Sequence, residues 1–295
     1  MFHYLELEFI RFLHQFRTPF IDRFFKTLDL FDRHEFFFVL IPFIWLTMGR
    51  KLGLRLFCIL FLNGLINHGL KYAFSSPRPF HLEPSLGIIQ VSGWGFPSGA
   101  AQTVILLSGL LLRSWTSSWK WIIAVNYILF ISFSRIFLGV HFPSDILGGW
   151  CIGFMLLAIY MYCFPKLEIL FSRMRHDIIY LFIVILPWMM IFFSNDHTMV
   201  RVCSVSIGLG LSLLLNDRFQ LSFQPSIHKK RYRLCIAMIG IIGTFFLYWV
   251  TSCFFPFTSK TALFLQFCPI GIWGGLGGPL MYRLFSLKKA LDHNR

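Results

Sequence analysis

The sequence predicts an all-α polytopic membrane protein. Three observations carry that prediction. Of 295 residues, 56% are hydrophobic and only 14% are charged, where a soluble protein carries about 25% charged residues. Long apolar runs recur along the whole chain, and the mean hydropathy is +0.67. A soluble domain needs a charged surface, and too little charge is present here to make one. Composition therefore excludes a soluble enzyme, a disordered tail protein and a secreted disulfide scaffold.

The elements follow in order. Residues 1–33 mix Glu6, Glu8, Arg11, Arg17, Asp22, Arg23 and Lys26 among Phe and Leu, which is no h-region of a signal peptide. Phe9, Ile10, Leu13, Phe16 and Phe20 recur at helical spacing, so this segment is expected to lie on the membrane as one or two amphipathic helices. Apolar segments follow at Glu35–Met48, Gly53–Phe74, Pro97–Leu112, Trp121–Leu138, Ser144–Phe164, Ile178–Ser194, Val200–Leu215, Leu234–Phe255 and Leu263–Met281. That is about nine spans, some shorter than the ~20 residues that fill a bilayer.

The net charge of +14 fits loops held on the cytoplasmic side rather than a nucleic-acid partner. Arg50, Lys51 and Arg55, Arg113 and Lys120, Lys166, Arg173 and Arg175, Arg218 and Lys229–Arg233, and a tail with Arg283, Lys288, Lys289 and Arg295 fall on alternate loops. By the positive-inside rule these face the cytoplasm. Loops 75–96 and 139–143 then face outside, and the C-terminus lies inside. The seven cysteines are odd in number, form no CxxC pair and read as small apolar fillers.

Lys71, Arg78 and Arg135 stand at span ends on the basic-poor side, with Asp145 the nearby acid at a span end. Ionisable groups there are costly unless they snorkel or serve a site. Three cations against one carboxylate point to an anion site. Pro97-Ser98-Gly99 opens the third span with a proline suited to a first helical turn and free N–H groups that favour phosphate. His141 has Asp145 four residues on. A carboxylate accepting one imidazole N–H leaves the other nitrogen as nucleophile or base.

Lys71-x6-Arg78-Pro79, Pro97-Ser98-Gly99 and Ser134-Arg135-x5-His141-x3-Asp145 resemble, in order and spacing, the type 2 phosphatidic acid phosphatase superfamily over about residues 20–165. The resemblance implies a helical bundle with its site at the extracytoplasmic end, and phosphate-ester chemistry needing no metal or other cofactor. It implies His141 as a nucleophile forming a phosphohistidine, oriented by Asp145. Lys71, Arg78, Ser98, Gly99 and Arg135 would hold the phosphoryl oxygens. The domains expected are an interfacial segment at 1–33, a phosphatase-like core at 34–165 and a C-terminal transmembrane extension at 166–295 with no assigned role. The partner expected is a phosphorylated lipid, and the location a multi-pass position in a bacterial cytoplasmic membrane.

One position departs from the family pattern. The second block normally ends Pro-Ser-Gly-His, and here the last residue is Ala100. That histidine protonates the leaving group in the family, and losing a general acid costs about 10²–10⁴-fold. A phosphate leaving group needs less help than an alkoxide, because its second pKa lies near 6. A polyprenyl or other lipid diphosphate is one consistent substrate, with water or another lipid as acceptor. His81 is the first candidate to replace the acid, with Glu83, His68 and Gln102 behind it. The alternative is a catalytically silent protein that binds or transports lipid phosphates on the same scaffold. Glycines at 149, 153, 271, 274, 275, 277 and 278 are expected to let helices pack closely.

Overall fold

The structure, a computed structural model, describes residues 2–114, 116–172, 176–194, 196–219, 221, 230–255 and 259–293. Arg173, Arg175, Lys229, Arg295 and most of the loop 220–233 lie outside the described residues. Every regular element among the described residues is helical. Helices α1 (Phe2–His14) and α2 (Pro19–Leu28) precede a 3-10 turn at Asp29–Asp32. Then come α3 (His34–Met48), α4 (Arg50–Phe74), the single turn α5 (Pro79–Leu82), α6 (Gly99–Ser114), α7 (Trp119–Phe137) and α8 (Pro143–Ser172). The chain ends with α9 (His176–Phe193), α10 (His197–Arg218), α11 (Lys230–Phe254) and α12 (Lys260–His293).

Each of the nine apolar segments of the sequence falls on one of these helices. Six stretches are long and apolar enough to cross a membrane: Arg50–Leu82, Trp119–Phe137, Pro143–Leu167, His197–Arg218, Arg231–Phe254 and Lys260–Leu284. Among the described residues Glu35–Met48 and Gly99–Arg113 are apolar but shorter. The protein is a multi-pass membrane protein.

The chain divides into two compact units, one of Met1–Phe36 with Ile59–Lys166 and one of Phe37–Cys58 with Leu167–Arg295. In the first, α1 and α2 contact α7. Thr18 caps α2, its Oγ1 accepting from the Ile21 N–H at 3.2 Å, and Pro19 takes the first helical position. Ile10 is fully buried among Leu86, Ala101, Phe142 and Ile146. Phe25 is buried against Phe137, Leu138 and Val140. Burying each such side chain from water contributes roughly 1.5–3 kcal/mol, which pins the N-terminal segment to the turn after α7. Phe9, Phe12, Phe16 and Phe20 remain exposed.

Gly149 and Gly153 of α8 lie against the Ser98 carbonyl, Ala101 and Gln102 at the start of α6. In the second unit, Gly208 of α10 meets Cys268 of α12, and Gly271 and Gly275 meet Val205 and Ser212. Without side chains at these points the backbones approach closely, as in many membrane helix pairs. Trp273 Nε1 donates to the Gly240 carbonyl at 2.9 Å, and Arg50 pairs with Asp217 at 2.8 Å.

Candidate active site

The site is built around the turn between α7 and α8. The Leu138 N–H donates to the Ser134 carbonyl, and the Val140 and His141 N–H groups donate to the Arg135 carbonyl at 3.2 and 3.3 Å. Gly139 makes this reversal possible. Its φ is +70°, a region that costs side-chain-bearing residues energy, and a Cβ there would strike the Leu86 carbonyl. His141 is thereby carried back beside Arg135, and Pro143 starts α8. Asp145 lies in the first turn of α8, where helix N–H groups favour a carboxylate. Its Oδ2 accepts from the Phe142 N–H at 2.9 Å.

Asp145 Oδ2 lies 3.3 Å from His141 Nδ1. A carboxylate can only accept, so Nδ1 is the protonated nitrogen and Nε2 carries the lone pair. Arg78 Nη1 lies 3.3 Å from that Nε2. Burial, reinforced by the charges of Arg78, Lys71 and Arg135, holds the His141 imidazolium well below its ordinary pKa, with a hydrogen bond to the Gly95 backbone opposing. The ring is neutral at pH 7, as a nucleophile must be.

The loop between α5 and α6 positions the cations. Lys71 Nζ donates to the Trp94 carbonyl at 2.6 Å and the Gly95 carbonyl at 3.1 Å. Arg78 donates from Nε to the Gly93 carbonyl, from Nη1 to the Val140 carbonyl and from Nη2 to the Ser92 carbonyl. Carbonyls carry no net charge, so these partners hold both side chains in place without forming an ion pair with either. Gly95 is required by the same packing: a Cβ would lie 2.8 Å from the Pro77 carbonyl oxygen and 3.1 Å from Asp145 Oδ2. Ser98 is fully buried, and its N–H donates to the Asp145 carbonyl. Its Oγ accepts from the Ala101 N–H at 3.4 Å. The structure thus brings Lys71, Arg78, Ser98, Gly99, Arg135, His141 and Asp145 into one unit, tied directly or through shared partners.

Arg135 has neighbours the sequence reading did not foresee. Its Nη1 donates to Asp29 Oδ1 at 2.8 Å and reaches Asp32 Oδ2 at 3.4 Å, and its Nε donates to Ser134 Oγ. Its Nη2 is buried without a protein partner. Glu6 is also buried here, Oε1 accepting from the Ser144 N–H at 2.7 Å at the start of α8. The expectation that Asp145 is the one acid near the cations is corrected: the N-terminal segment brings three more. They are distant in sequence, and the signal available was Asp29-x-x-Asp32 immediately before an apolar run.

The candidate replacement acids are placed as follows. His81 Nδ1 accepts from the Arg78 N–H at 3.2 Å, and its exposed ring packs on Phe80. Glu83 is engaged by Arg11 at 2.6 Å, and that hydrogen bond holds its carboxyl below the usual pKa. His68 packs its ring on Tyr72. Gln102 is fully buried. Ala100 is itself buried with Val104 and Ile131, and Leu28, Tyr127 and Ile128 pack against that cluster.

Residues 52–169 match the PAP2 superfamily. The chain is 29% identical over 107 residues to undecaprenyl-diphosphatase of Sulfolobus acidocaldarius, covering 35% of this chain and 51% of that protein. It is 29% identical over 116 residues to phosphatidylglycerophosphatase B of Bacillus subtilis, covering 36% and 55%. The chain thus spans about half the length of these curated relatives. Among solved structures, the transmembrane PAP2 type phosphatidylglycerolphosphate phosphatase from Bacillus subtilis is similar with a TM-score of 0.48 and 21% identity, over 56% of this chain and 86% of that one.

Proposed function

We propose that the chain, whose residues 52–169 match the PAP2 superfamily, is a membrane lipid phosphatase or phosphotransferase working through a phosphohistidine on His141. The carrying observation is the His141 ring: Asp145 engages Nδ1, Nε2 keeps its lone pair, and Arg78 Nη1 stands beside it. In this reading Nε2 attacks the terminal phosphorus, its bond to the leaving oxygen breaks (the bridging oxygen of a diphosphate, with lipid phosphate leaving), and water or a second lipid then takes the phosphoryl group. Lys71, Arg78, the buried Arg135 Nη2, Ser98 and the N–H groups that open α6 stabilise the phosphoryl oxygens. Preorganised donors of this kind are usually the largest catalytic term. The site faces outside, as the basic loops dictate. A lipid diphosphate is the favoured substrate class, because its leaving group is the less demanding one. The name of the Sulfolobus relative points the same way.

The test offers purified full-length protein in detergent a long-chain polyprenyl diphosphate and follows released phosphate. Wild type is expected to release it and to yield a base-stable, acid-labile phosphoprotein labelled at His141. A phosphoenzyme on another residue, or undiminished turnover in His141→Ala, would falsify the proposal.

A further inference from the structure

The 3-10 turn Asp29–Asp32 ends beside the cations of the site. Leu28, at its start, packs against the cluster that contains Ala100. Phe31 contacts the ring of Tyr127, which packs against the same cluster. Position 100, where the family places its acid, is therefore buried in a cluster that the segment leading to Asp32 packs against. The two aspartates of the turn have different surroundings. Asp29 is buried and accepts from Arg135 at 2.8 Å and from Arg33 at 2.7 Å. Asp32 has the longer contact to Arg135, at 3.4 Å, and its side chain is 35% exposed. It lies within electrostatic reach of Lys71, Arg78 and Tyr127.

The guanidinium of Arg135 connects this carboxyl to the reaction. It is a planar fork. Nη1 holds the two aspartates, and Nη2 is buried without a protein partner, which is a costly arrangement unless a ligand completes it. A phosphoryl oxygen on Nη2 would sit on the same guanidinium as Asp32, so the two would be neighbours.

We propose that Asp32 is the leaving-group acid of this enzyme, a catalytic residue that replaces from the N-terminal segment the function lost at Ala100. This rests on the phosphatase reading above. In the first step the His141 Nε2 lone pair forms a bond to phosphorus, the bond from phosphorus to the lipid oxygen breaks, and the Asp32 proton passes to that oxygen. In the second, water attacks phosphorus and gives a proton to the Asp32 carboxylate. The nitrogen–phosphorus bond breaks with its electron pair returning to Nε2, and phosphate leaves. For a monophosphate the sum is lipid phosphate plus water giving lipid alcohol plus phosphate; for a diphosphate the leaving oxygen is the bridging one and lipid phosphate takes the place of the alcohol. Accessible as it is, Asp32 has enough protein around it that burial raises its pKa above the ordinary carboxylate value, with Asp29 adding to the rise and Arg135, Lys71 and Arg78 opposing it.

The experiment compares a polyprenyl monophosphate, whose leaving group is an alkoxide, with the matching diphosphate, in full-length wild type, Asp32→Asn and Asp32→Glu. Asp32→Asn keeps the shape and removes the proton. It is expected to lower kcat/KM on the monophosphate by about 10²–10⁴-fold and on the diphosphate by much less, and to abolish the alkaline fall in the pH profile. Asp32→Glu should recover part of the monophosphate rate. Equal losses on both substrates would show a structural role and overturn the inference, as would no loss on either. A wild type that hydrolyses neither substrate and forms no phosphohistidine would overturn the phosphatase reading itself. Wild-type turnover insensitive to Asp32→Asn would overturn only the acid.

Discussion

Replacing Asp29 by Asn tests how the N-terminal segment is fastened to the site. Asp29 and Arg135 form a pair at 2.8 Å with side-chain exposures of 8% and 2%. Removing one partner of a buried ion pair costs about 3–5 kcal/mol, because the remaining charge stays out of water without compensation. Asp32 at 3.4 Å recovers part of that, and asparagine retains one acceptor, so the lower end, about 3 kcal/mol, is expected. At 1.4 kcal/mol per decade this is roughly a hundredfold in the folded-to-unfolded ratio. By the scaling for domains of 150–250 residues it is a fall in Tm of about 6–12 °C. The assay is thermal unfolding of the detergent-solubilised protein at a fixed heating rate, for Asp29→Asn, Arg135→Met and the double variant. The double variant should be no less stable than Asp29→Asn, since neither charge is then buried alone; the cycle isolates the coupling. A loss below about 0.5 kcal/mol, the usual range for an uninvolved surface position, or strict additivity would refute the buried pairing.

Three further outcomes are expected. Turnover should persist below pH 6.5, the ordinary histidine value, and fall only as pH drops through the depressed pKa of His141. Over the same interval the unfolded chain takes up the proton first, so stability also falls with decreasing pH; an acid limb at or above 6.5 in the rate profile would contradict the buried neutral ring. Ala100→His should lower stability by about 1–3 kcal/mol through overpacking, because the methyl group is 3% exposed beneath Leu28 and Tyr127, and trimming Leu28 to Ala should relieve it in thermal unfolding. A cysteine at Ser85 should react with an impermeant thiol reagent from outside and one at Ser117 from inside, in a cysteine-free background; the opposite pattern would invert the topology.

The membrane class and helix positions were legible in the sequence because lipid acts locally. Each span must satisfy its own backbone and present apolar side chains, so the pattern appears within a single stretch of chain. The third motif was legible for a related reason: Arg135, His141 and Asp145 flank one short connection between α7 and α8, where spacing limits the geometry. The pairing of glycines 149 and 153 with α6 was expected as close packing without its partner being identifiable.

Asp29, Asp32 and Glu6 were not legible in this way. By sequence they sit in a charged amphipathic segment before the first span, and nothing local distinguishes a carboxylate that meets water from one that meets Arg135 over a hundred residues later. That choice was made by the burial of Ile10 and Phe25 against the turn after α7, a long-range packing event that carries the acids with it. The sequence by itself determined the apolar helices and which basic, histidine and carboxylate side chains stand at their ends. Only the tertiary structure decided which carboxylates neutralise Arg135 and which guanidinium nitrogen is left without a protein partner, because those depend on distances between segments that the chain order does not encode.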